Sequence, residues 1–425
     1  MPIKNKKIEP YLILFFLPFI IRTFIGSLIN YERSYTSVSA INILSDPSIV
    51  AFLITSLCIP IFLFKKIAAI IELLKIPLVL FVLYSIIGTF FGLLTDYKLL
   101  AIFIGYELFI YYLLASMLIV NVHEKGEKFL LLFENYFYIL LVFLMSIAYI
   151  DILLPFTNPF SIELSGRSRF NGYILHLVSI QWSAISSICL IISLSFIFRK
   201  TKNIIYHYII AILSLILLLL CGSRGAIAGC TIASFFLFVN IRRKITPLGW
   251  MIIFFVVTLL TSLSIIINWK YILSVLEDFF RLSNESNLFT LGGRLKLWTN
   301  AIGNLLSYPF MGYGIGTRGA RPPLLSHSMH NFILEVWVGS GTIGVILFCS
   351  GFFIVLKRLV FRSIKFSKIL QHDNKEIKFS LIATASVFIY LCLHGMVESN
   401  IAGTNNIFSV AFLYCVIYSQ SLKSI

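Results

Sequence analysis

The chain has 425 residues, of which 59% are hydrophobic and 12% are charged, and its formal net charge is +16. A soluble protein carries about 25% charged residues, so this composition excludes an ordinary soluble domain. Several apolar runs approach the ~20 residues that a helix needs to cross a bilayer. Transmembrane β-barrels are excluded because their strands alternate apolar and polar residues in runs of about 10. The sequence therefore predicts an all-α polytopic membrane protein.

The cysteines do not predict a disulfide or a metal site, and the excess of Lys and Arg does not predict binding of nucleic acid. All seven cysteines fall in apolar runs without C-x-x-C spacing, which favours small core residues over a disulfide or metal site. The basic residues lie in short segments between apolar runs, so we expect no nucleic acid partner. Residues 1–10 resemble the start of a signal peptide. The run from Tyr11 is long and lacks a small-residue cleavage site, which predicts a retained first helix.

In chain order, the apolar runs predict twelve transmembrane helices. They are residues 11–29, 48–64, 76–95, 99–120, 129–150, 173–198, 204–221, 225–240, 248–267, 331–356, 379–397 and 406–421. Residues 1–425 then form a single integral membrane domain surrounded by the lipid bilayer. Two segments are too long for simple turns and are predicted to be periplasmic loops: 151–172, and 268–330 before the tenth helix.

The charges of the connecting segments orient these helices. With the N-terminus inside, the inner segments hold 22 Lys and Arg residues and the outer segments hold 11, so both termini are predicted to be cytoplasmic. Inside, 17 of the 22 are Lys, whereas outside 8 of the 11 are Arg. Topology needs only positive charge, but the planar fork of Arg binds phosphate or carboxylate through two parallel hydrogen bonds. The outer face is therefore expected to handle a phosphorylated ligand.

The turn Gly222-Ser223-Arg224-Gly225 joins two apolar runs at the predicted outer face. An arginine in such a turn can simply snorkel to the membrane surface. The positive-inside rule, however, would favour a basic residue on the other side, and the flanking glycines would let a ligand approach closely. Arg224 is therefore a candidate for binding an anionic substrate.

Inside segment 268–330, apolar residues with helical spacing predict a short amphipathic helix at the membrane surface, ended by Ser307-Tyr308-Pro309. These apolar residues are Leu295, Trp298, Ile302 and Leu305. Arg294 falls in the first turn, where free backbone N–H groups attract anions. Arg294 and this helix N-terminus form a candidate phosphate clamp, and an exposed surface arginine is the alternative.

The Gly-rich run at 311–317, M-G-Y-G-I-G-T, follows no strand and opens no βαβ unit, so it does not predict a dinucleotide site. It is predicted to be a flexible loop. Gly339, Gly341 and Gly344 lie on the tenth helix, where small residues would let another helix approach closely.

The segment from His327 to Asn331 stands at the mouth of the tenth helix. Its H-x-x-H spacing, without a nearby Cys or Asp, does not predict a metal site. A neutral imidazole at His330 can act as a general base or orient a substrate hydroxyl. Glu335 is notable because a carboxylate in an apolar helix is costly and usually functional, although a capping or buried-pair role is the alternative. His327, Asn331 and Glu335 are candidate substrate-binding residues.

The spacing His330-Asn331, nine residues, Gly341, two residues, Gly344 resembles the H-N-x9-G-x-x-G pattern of the bacterial O-antigen polymerase and O-antigen ligase superfamily. The Ser223-Arg224 turn resembles a family feature at the outer end of a middle helix. A Gly-x-Arg helix that ends in Pro and a G-x-G loop, both within 292–316, are also similar to the family. The resemblance covers about residues 160–400 in order and topology.

The resemblance implies a membrane glycosyltransferase of the glycosyltransferase family C-like fold in the bacterial inner membrane. It implies undecaprenyl-diphosphate-linked saccharide as donor and acceptor at the periplasmic face, no metal or other cofactor, and a chain-length regulator as a partner. The family's phosphate-contacting arginines correspond to Arg224 and Arg294 and its motif histidine to His330, which are the candidate catalytic residues. Arg167 and Arg169 match another family arginine more loosely. Two further candidates for substrate binding have no family counterpart: Arg318 and Arg321.

Three functions remain open on these grounds. A polymerase would join lipid-linked repeat units of O-antigen or capsular polysaccharide, inverting the anomeric carbon. A ligase would transfer the finished polysaccharide from undecaprenyl diphosphate to the lipid A core. The Gly-rich run and the H-G-M-V-E-S-N segment at 394–400 favour the polymerase. A transporter or flippase predicts paired broken helices and polar residues deep in the spans, whereas the polar candidates here gather outside them.

Overall fold

The structure is a computed structural model of the chain. It describes residues 9–28, 53–57, 77–154, 160–162, 168–170, 172, 174–175, 177–201, 203–241, 294–307, 309–315, 329–369, 375–398 and 406–421. The predicted ninth span, 248–267, lies outside the described residues, and of the predicted second span only the helical stretch 53–57 is described.

Twelve α-helices dominate the described residues. They are α1 Pro10–Leu28, α2 Leu78–Leu93, α3 Lys98–Lys125, α4 Glu127–Leu153, α5 Ser179–Arg199, α6 Ile204–Leu220, α7 Arg224–Ile241, α8 Arg294–Ser307, α9 Phe332–Leu356, α10 Arg362–Ile369, α11 Lys375–Gly395 and α12 Ile407–Ser421. A π-helical turn, Lys357–Phe361, joins α9 to α10. Six of the helices are long and apolar enough to cross a membrane, and four more are shorter and apolar. These ten coincide with ten of the twelve predicted spans, which confirms a polytopic membrane protein.

The predicted all-α class needs one small correction in segment 151–172. Strands β1, Phe160–Ile162, and β2, Ser168–Phe170, pair antiparallel. Asp151 at the end of α4 accepts the backbone N–H of Ile174 at 3.2 and 2.9 Å, and Phe170 packs on Trp182 of α5 with ring centroids 5.6 Å apart. These contacts attach Ile174 to α4 and Phe170 to α5.

The core lies around α12, whose side chains from Asn406 to Gln420 are all buried. At one end of the helices, Glu134 of α4 pairs with Arg199 of α5 at 2.6 Å. Glu134 also accepts the hydroxyl of Ser380 in α11 at 2.9 Å, and that hydroxyl lies 2.6 Å from the hydroxyl of Tyr418 in α12. Because an unpaired buried carboxylate would be very costly, this network holds four helices in one register.

Helix α9 is interrupted at Gly341, whose φ of 64° lies in the left-handed region. Residues 309–315, which we call the Gly-rich loop, hydrogen-bond to the backbone on both sides of this break. The bonds run from the N–H of Tyr313 to Val338 O, from Gly314 to Gly339 O and from Thr342 to Pro309 O, at 2.8, 2.9 and 3.0 Å. The loop thereby satisfies backbone groups that a continuous helix would pair internally.

The structure corrects two predictions, one about the Gly-rich loop and one about the glycines of α9. The loop is held by backbone hydrogen bonds from 313 to 315, so the prediction of a flexible loop is wrong for these residues. The glycines of α9 were expected to admit a neighbouring helix. At Gly341 the close neighbour is instead the loop, because an added Cβ would overlap the carbonyl of Phe310. At Gly344 the expectation is confirmed, because an added Cβ would lie 3.6 Å from Tyr84 of α2. Gly351 of the same helix also faces α2, where an added Cβ would lie 2.9 Å from Phe81.

The break predicts the effect of Gly341→Ala. The substituted residue would adopt φ 64° and ψ −175°, a region used almost only by glycine that costs about 1–3 kcal/mol, and its Cβ would push the Gly-rich loop away. We expect a lower unfolding temperature for the purified protein in detergent. Gly303→Ala is the matched control, because a Cβ there has no atom within 4 Å and alanine favours the helix. Equal stability of the two variants would contradict the assignment.

Candidate functional site

Helix α8 brings the predicted surface helix to the start of α9. Its bounds, Arg294–Ser307, confirm the predicted helix and its end before Tyr308-Pro309. Its apolar face packs on α9 rather than lying only on a membrane surface, in a cluster of buried side chains. The cluster contains Ala301, Leu305, Met329, Leu334 and Val338. Ile302 is not part of this face and is exposed. The indole N–H of Trp298 also donates to the carbonyl of Met329 at 2.7 Å.

The centre of the site is Glu398, which follows the end of α11 and is only 8% exposed. Its Oε1 accepts a hydrogen bond from Nη2 of Arg294 at 2.8 Å. Its Oε2 lies 3.0 Å from Nδ1 of His330. One buried carboxylate therefore brings together the two predicted catalytic residues of segment 268–330.

His330 and Asn331 shape the entry to α9. His330 has φ 47°, a left-handed conformation that turns the chain into the helix. Asn331 caps the helix, since its Oδ1 accepts the N–H groups of Ile333 and Leu334 at 3.0 and 3.2 Å. Its Nδ2 donates to the carbonyl of Met396 at 3.2 Å. The histidine and the asparagine thus bind the same short segment after α11 through adjacent side chains.

Glu335 closes the turn before α9. Its Oε2 accepts the N–H of Met329 at 3.1 Å, and its own N–H donates to the carbonyl of Asn331 at 2.9 Å. This is the capping role that the sequence offered as the alternative. Substrate binding by Glu335 stays a prediction.

Arg224 is the first residue of α7 and follows Gly222, whose φ is 62°. The start of α7 lies against the segment that carries Glu398, since a Cβ added to Gly225 would be 2.6 Å from Val397. The same Cβ would be 3.6 Å from the ring of His394. The third predicted catalytic residue therefore begins its helix beside the segment that Arg294 and His330 contact.

His394, in the last turn of α11, forms the floor beneath this segment. It is fully buried and stacks between Tyr390 and Phe408, with ring centroids 5.5 and 5.1 Å apart. Neither ring nitrogen has a hydrogen-bond partner among the described residues. Sequence reasoning did not propose His394 or Glu398 for the site. The signal was the H-G-M-V-E-S-N segment, which was noted as polymerase-like and which contains both.

The charge state of Glu398 follows from its neighbours. Burial on its own would raise the pKa of Glu398. The hydrogen bond from His330 and the charges of His330, Arg294 and His394 lower it, and the net pKa lies below its ordinary value. Because a carboxylate can only accept, Nδ1 of His330 carries the hydrogen, and in the neutral ring Nε2 holds the lone pair. The arrangement thus sets the tautomer that a general base needs.

The remaining predicted residues are not brought to the site by described contacts. The backbone of Arg169 lies in β2, opposite Ser161. Four candidates lie outside the described residues: Arg167, Arg318, Arg321 and His327. Across the described ranges, no group of three His, Cys, Asp or Glu side chains could hold a metal ion.

Comparison with known proteins adds one finding. Residues 209–349 match the protein family Wzy_C, described as O-Antigen ligase. The match runs from within α6 to within α9 and contains Arg224, Arg294 and His330, whereas Glu398 lies beyond it. No curated protein matches the chain.

The lowered pKa predicts how the site responds to acid. A carboxyl group whose pKa is lower in the folded protein adds stability above its ordinary pKa, and loses it as the pH falls through the lowered value. We expect Glu398→Gln to lower the unfolding temperature most at pH 7, and the difference from wild type to shrink towards pH 4. Thermal unfolding in detergent across this range checks it. A difference that stays unchanged from pH 7 to well below the ordinary pKa of a glutamate would contradict the ion-pair assignment.

Asn331 offers a test of capping against substrate binding. Asn331→Ala removes the cap and the bond to Met396, so we expect a loss of about 1–2 kcal/mol of stability. Asn331→Asp keeps the oxygen that caps the helix but loses the N–H donor to Met396. Its stability should therefore lie between that of the wild type and that of Asn331→Ala. Thermal unfolding measures both variants. If the alanine variant kept full stability but lost activity, substrate binding would be supported instead.

Proposed function

We propose that the chain is a membrane glycosyltransferase, because residues 209–349 match the family described as O-Antigen ligase. It joins undecaprenyl-diphosphate-linked oligosaccharide repeat units into O-antigen or capsular polysaccharide at the periplasmic face. The observation that carries the proposal is the meeting of Arg294 and His330 on Glu398, beside the start of the Arg224 helix.

Donor binding falls to the two arginines. A diphosphate carries negative charge that grows on the leaving oxygen as the glycosidic bond breaks. Arg224 and Arg294 present permanent positive charge and forked N–H donors to it. Arg294 lies at the N-terminus of α8, where backbone N–H groups add to the attraction for phosphate. The side chain of Arg294 is 29% exposed, which leaves it accessible to a ligand.

Acceptor activation falls to His330, whose side chain is 38% exposed. With the hydrogen on Nδ1, Nε2 takes the proton from a sugar hydroxyl of the acceptor. The hydroxyl oxygen forms the new bond to the anomeric carbon, and the bond from that carbon to the diphosphate oxygen breaks. The electron pair leaves with undecaprenyl diphosphate. Attack opposite the leaving group inverts the anomeric carbon.

The position of the site fits the proposed orientation. Glu398 lies just beyond the C-terminal end of α11, whereas Ser380 and the buried pair of Glu134 and Arg199 lie near the other end of the bundle. The basic turn Lys357–Phe361 and α10 belong to that second end, and positive residues favour the cytoplasm. The site would then open to the periplasm, where lipid-linked saccharides are joined.

A ligase that transfers polysaccharide to the lipid A core is the second candidate, because the matched family is described as O-Antigen ligase. It would use the same donor and the same residues and differ in its acceptor. Deletion in the native host, followed by electrophoresis of surface lipopolysaccharide, separates the two. A single repeat unit on the core would mean that a polymerase was lost. Free lipid-linked polymer and a bare core would mean that a ligase was lost, and an unchanged pattern would contradict both.

Alanine substitutions test the site assignment. We expect Arg224→Ala, Arg294→Ala and His330→Ala each to reduce polymer formation at least about 100-fold while the protein still inserts in the membrane. Lys in place of either arginine should restore little activity, because the fork is lost. Polymer from cells and protein in membranes are measured together.

Arg362→Ala and His123→Ala are matched controls, since Arg362 begins α10 and His123 lies in the last turn of α3. Both should keep wild-type polymer levels. Wild-type levels in the three site variants would overturn the assignment.

A further inference from the structure

We propose that Glu398 is a positioning residue of this reaction with two opposed effects: one oxygen orients His330, and the other competes with the donor diphosphate for Arg294. The inference rests on the proposed function and goes beyond it, because it assigns a role to a residue outside the matched domain. It predicts that removing one negative charge strengthens donor binding and slows the chemical step.

The positioning role follows from the contact with His330. Nδ1 and Oε2 are 3.0 Å apart, and the carboxylate, which can only accept, requires the hydrogen on Nδ1. The imidazole is thereby held with Nε2 as the proton acceptor. The left-handed backbone of His330 and the cap at Asn331 fix the chain on either side of the ring. The carboxylate thus sets both the tautomer and the direction of the base, as a buried acid does beside a catalytic histidine.

The competing role follows from the contact with Arg294. The 2.8 Å bond from Nη2 to Oε1 neutralises a carboxylate that is only 8% exposed. A diphosphate that binds Arg294 brings further negative charge next to Glu398. Like charges at such distances repel strongly where water is largely excluded. The net affinity of Arg294 for the diphosphate is therefore reduced, because the bond between Arg294 and Glu398 must first break.

This exchange links donor binding to the base. When Arg294 turns to the diphosphate, Glu398 loses its cationic partner and keeps the hydrogen bond from the neutral ring of His330. The carboxylate then stabilises the positive charge that His330 gains when it takes the acceptor proton. After the proton leaves, Glu398 can reclaim Arg294, which favours release of undecaprenyl diphosphate. A purely structural ion pair would have neither effect.

The test uses the full-length protein in detergent, with Glu398→Gln and Glu398→Asp. Binding is measured with undecaprenyl diphosphate as the probe, and turnover is measured as polymer formed from lipid-linked repeat units. We expect Glu398→Gln to bind the probe about three- to tenfold more tightly and to turn over at least about tenfold more slowly. Glu398→Asp keeps the charge but shortens the side chain, so it should bind like wild type and turn over more slowly.

Glu9→Gln is the matched control, since Glu9 pairs with Lys125 away from this site, and it should change neither quantity. Weaker or unchanged probe binding by Glu398→Gln, or wild-type turnover, would overturn the inference. If Glu398→Gln does not fold, weaker probe binding by Glu398→Asp would overturn it, and wild-type binding with slow turnover would support it. A wild-type protein that neither binds the probe nor makes polymer would instead overturn the proposed function.

Discussion

The site depends on one buried carboxylate. Glu398 can remain ionised in a largely water-excluded position only if cationic or hydrogen-bonding groups surround it. Arg294 and His330 meet this need from positions 104 and 68 residues away in the chain. The same electrostatic requirement therefore joins α8, the start of α9 and the end of α11. By requiring charged and hydrogen-bonding partners, Glu398 thus brings together Arg294 and His330, the two residues that the proposed chemistry uses.

The break in α9 at Gly341 also holds α8 close to α9. A straight, continuous α9 would leave the N–H groups of Tyr313 and Gly314 in the Gly-rich loop without their partners, Val338 O and Gly339 O. The left-handed turn at Gly341 releases carbonyl groups that the loop then binds. This explains physically why a glycine is needed ten residues after Asn331. The glycine thereby lets the Gly-rich loop, and with it the end of α8, pack against α9.

Two buried glutamates at opposite ends of the bundle illustrate different uses of the same side chain. Glu134 has a short ion pair with Arg199 and a hydroxyl partner, and both charged side chains are almost completely buried. Glu398 instead pairs with Arg294 and His330, whose side chains are partly exposed. Partners that still reach solvent can exchange Glu398 for a ligand, whereas fully buried partners can only hold helices together. Exposure of the partners thus distinguishes Glu398, the proposed positioning residue, from Glu134.

The sequence alone determined the membrane class, ten of the spans, the helix from Arg294 and the motif of His330 and Asn331, because these depend on local hydrophobicity, spacing and turn chemistry. It could not identify Glu398, since a single acid near the end of a helix carries no local signal of its distant partners. It also misjudged the Gly-rich loop and the surroundings of Gly341, because the groups that contact them lie in other parts of the chain. Only the tertiary structure decided which charges meet, since pairing buried charges is a condition that the whole fold satisfies at once.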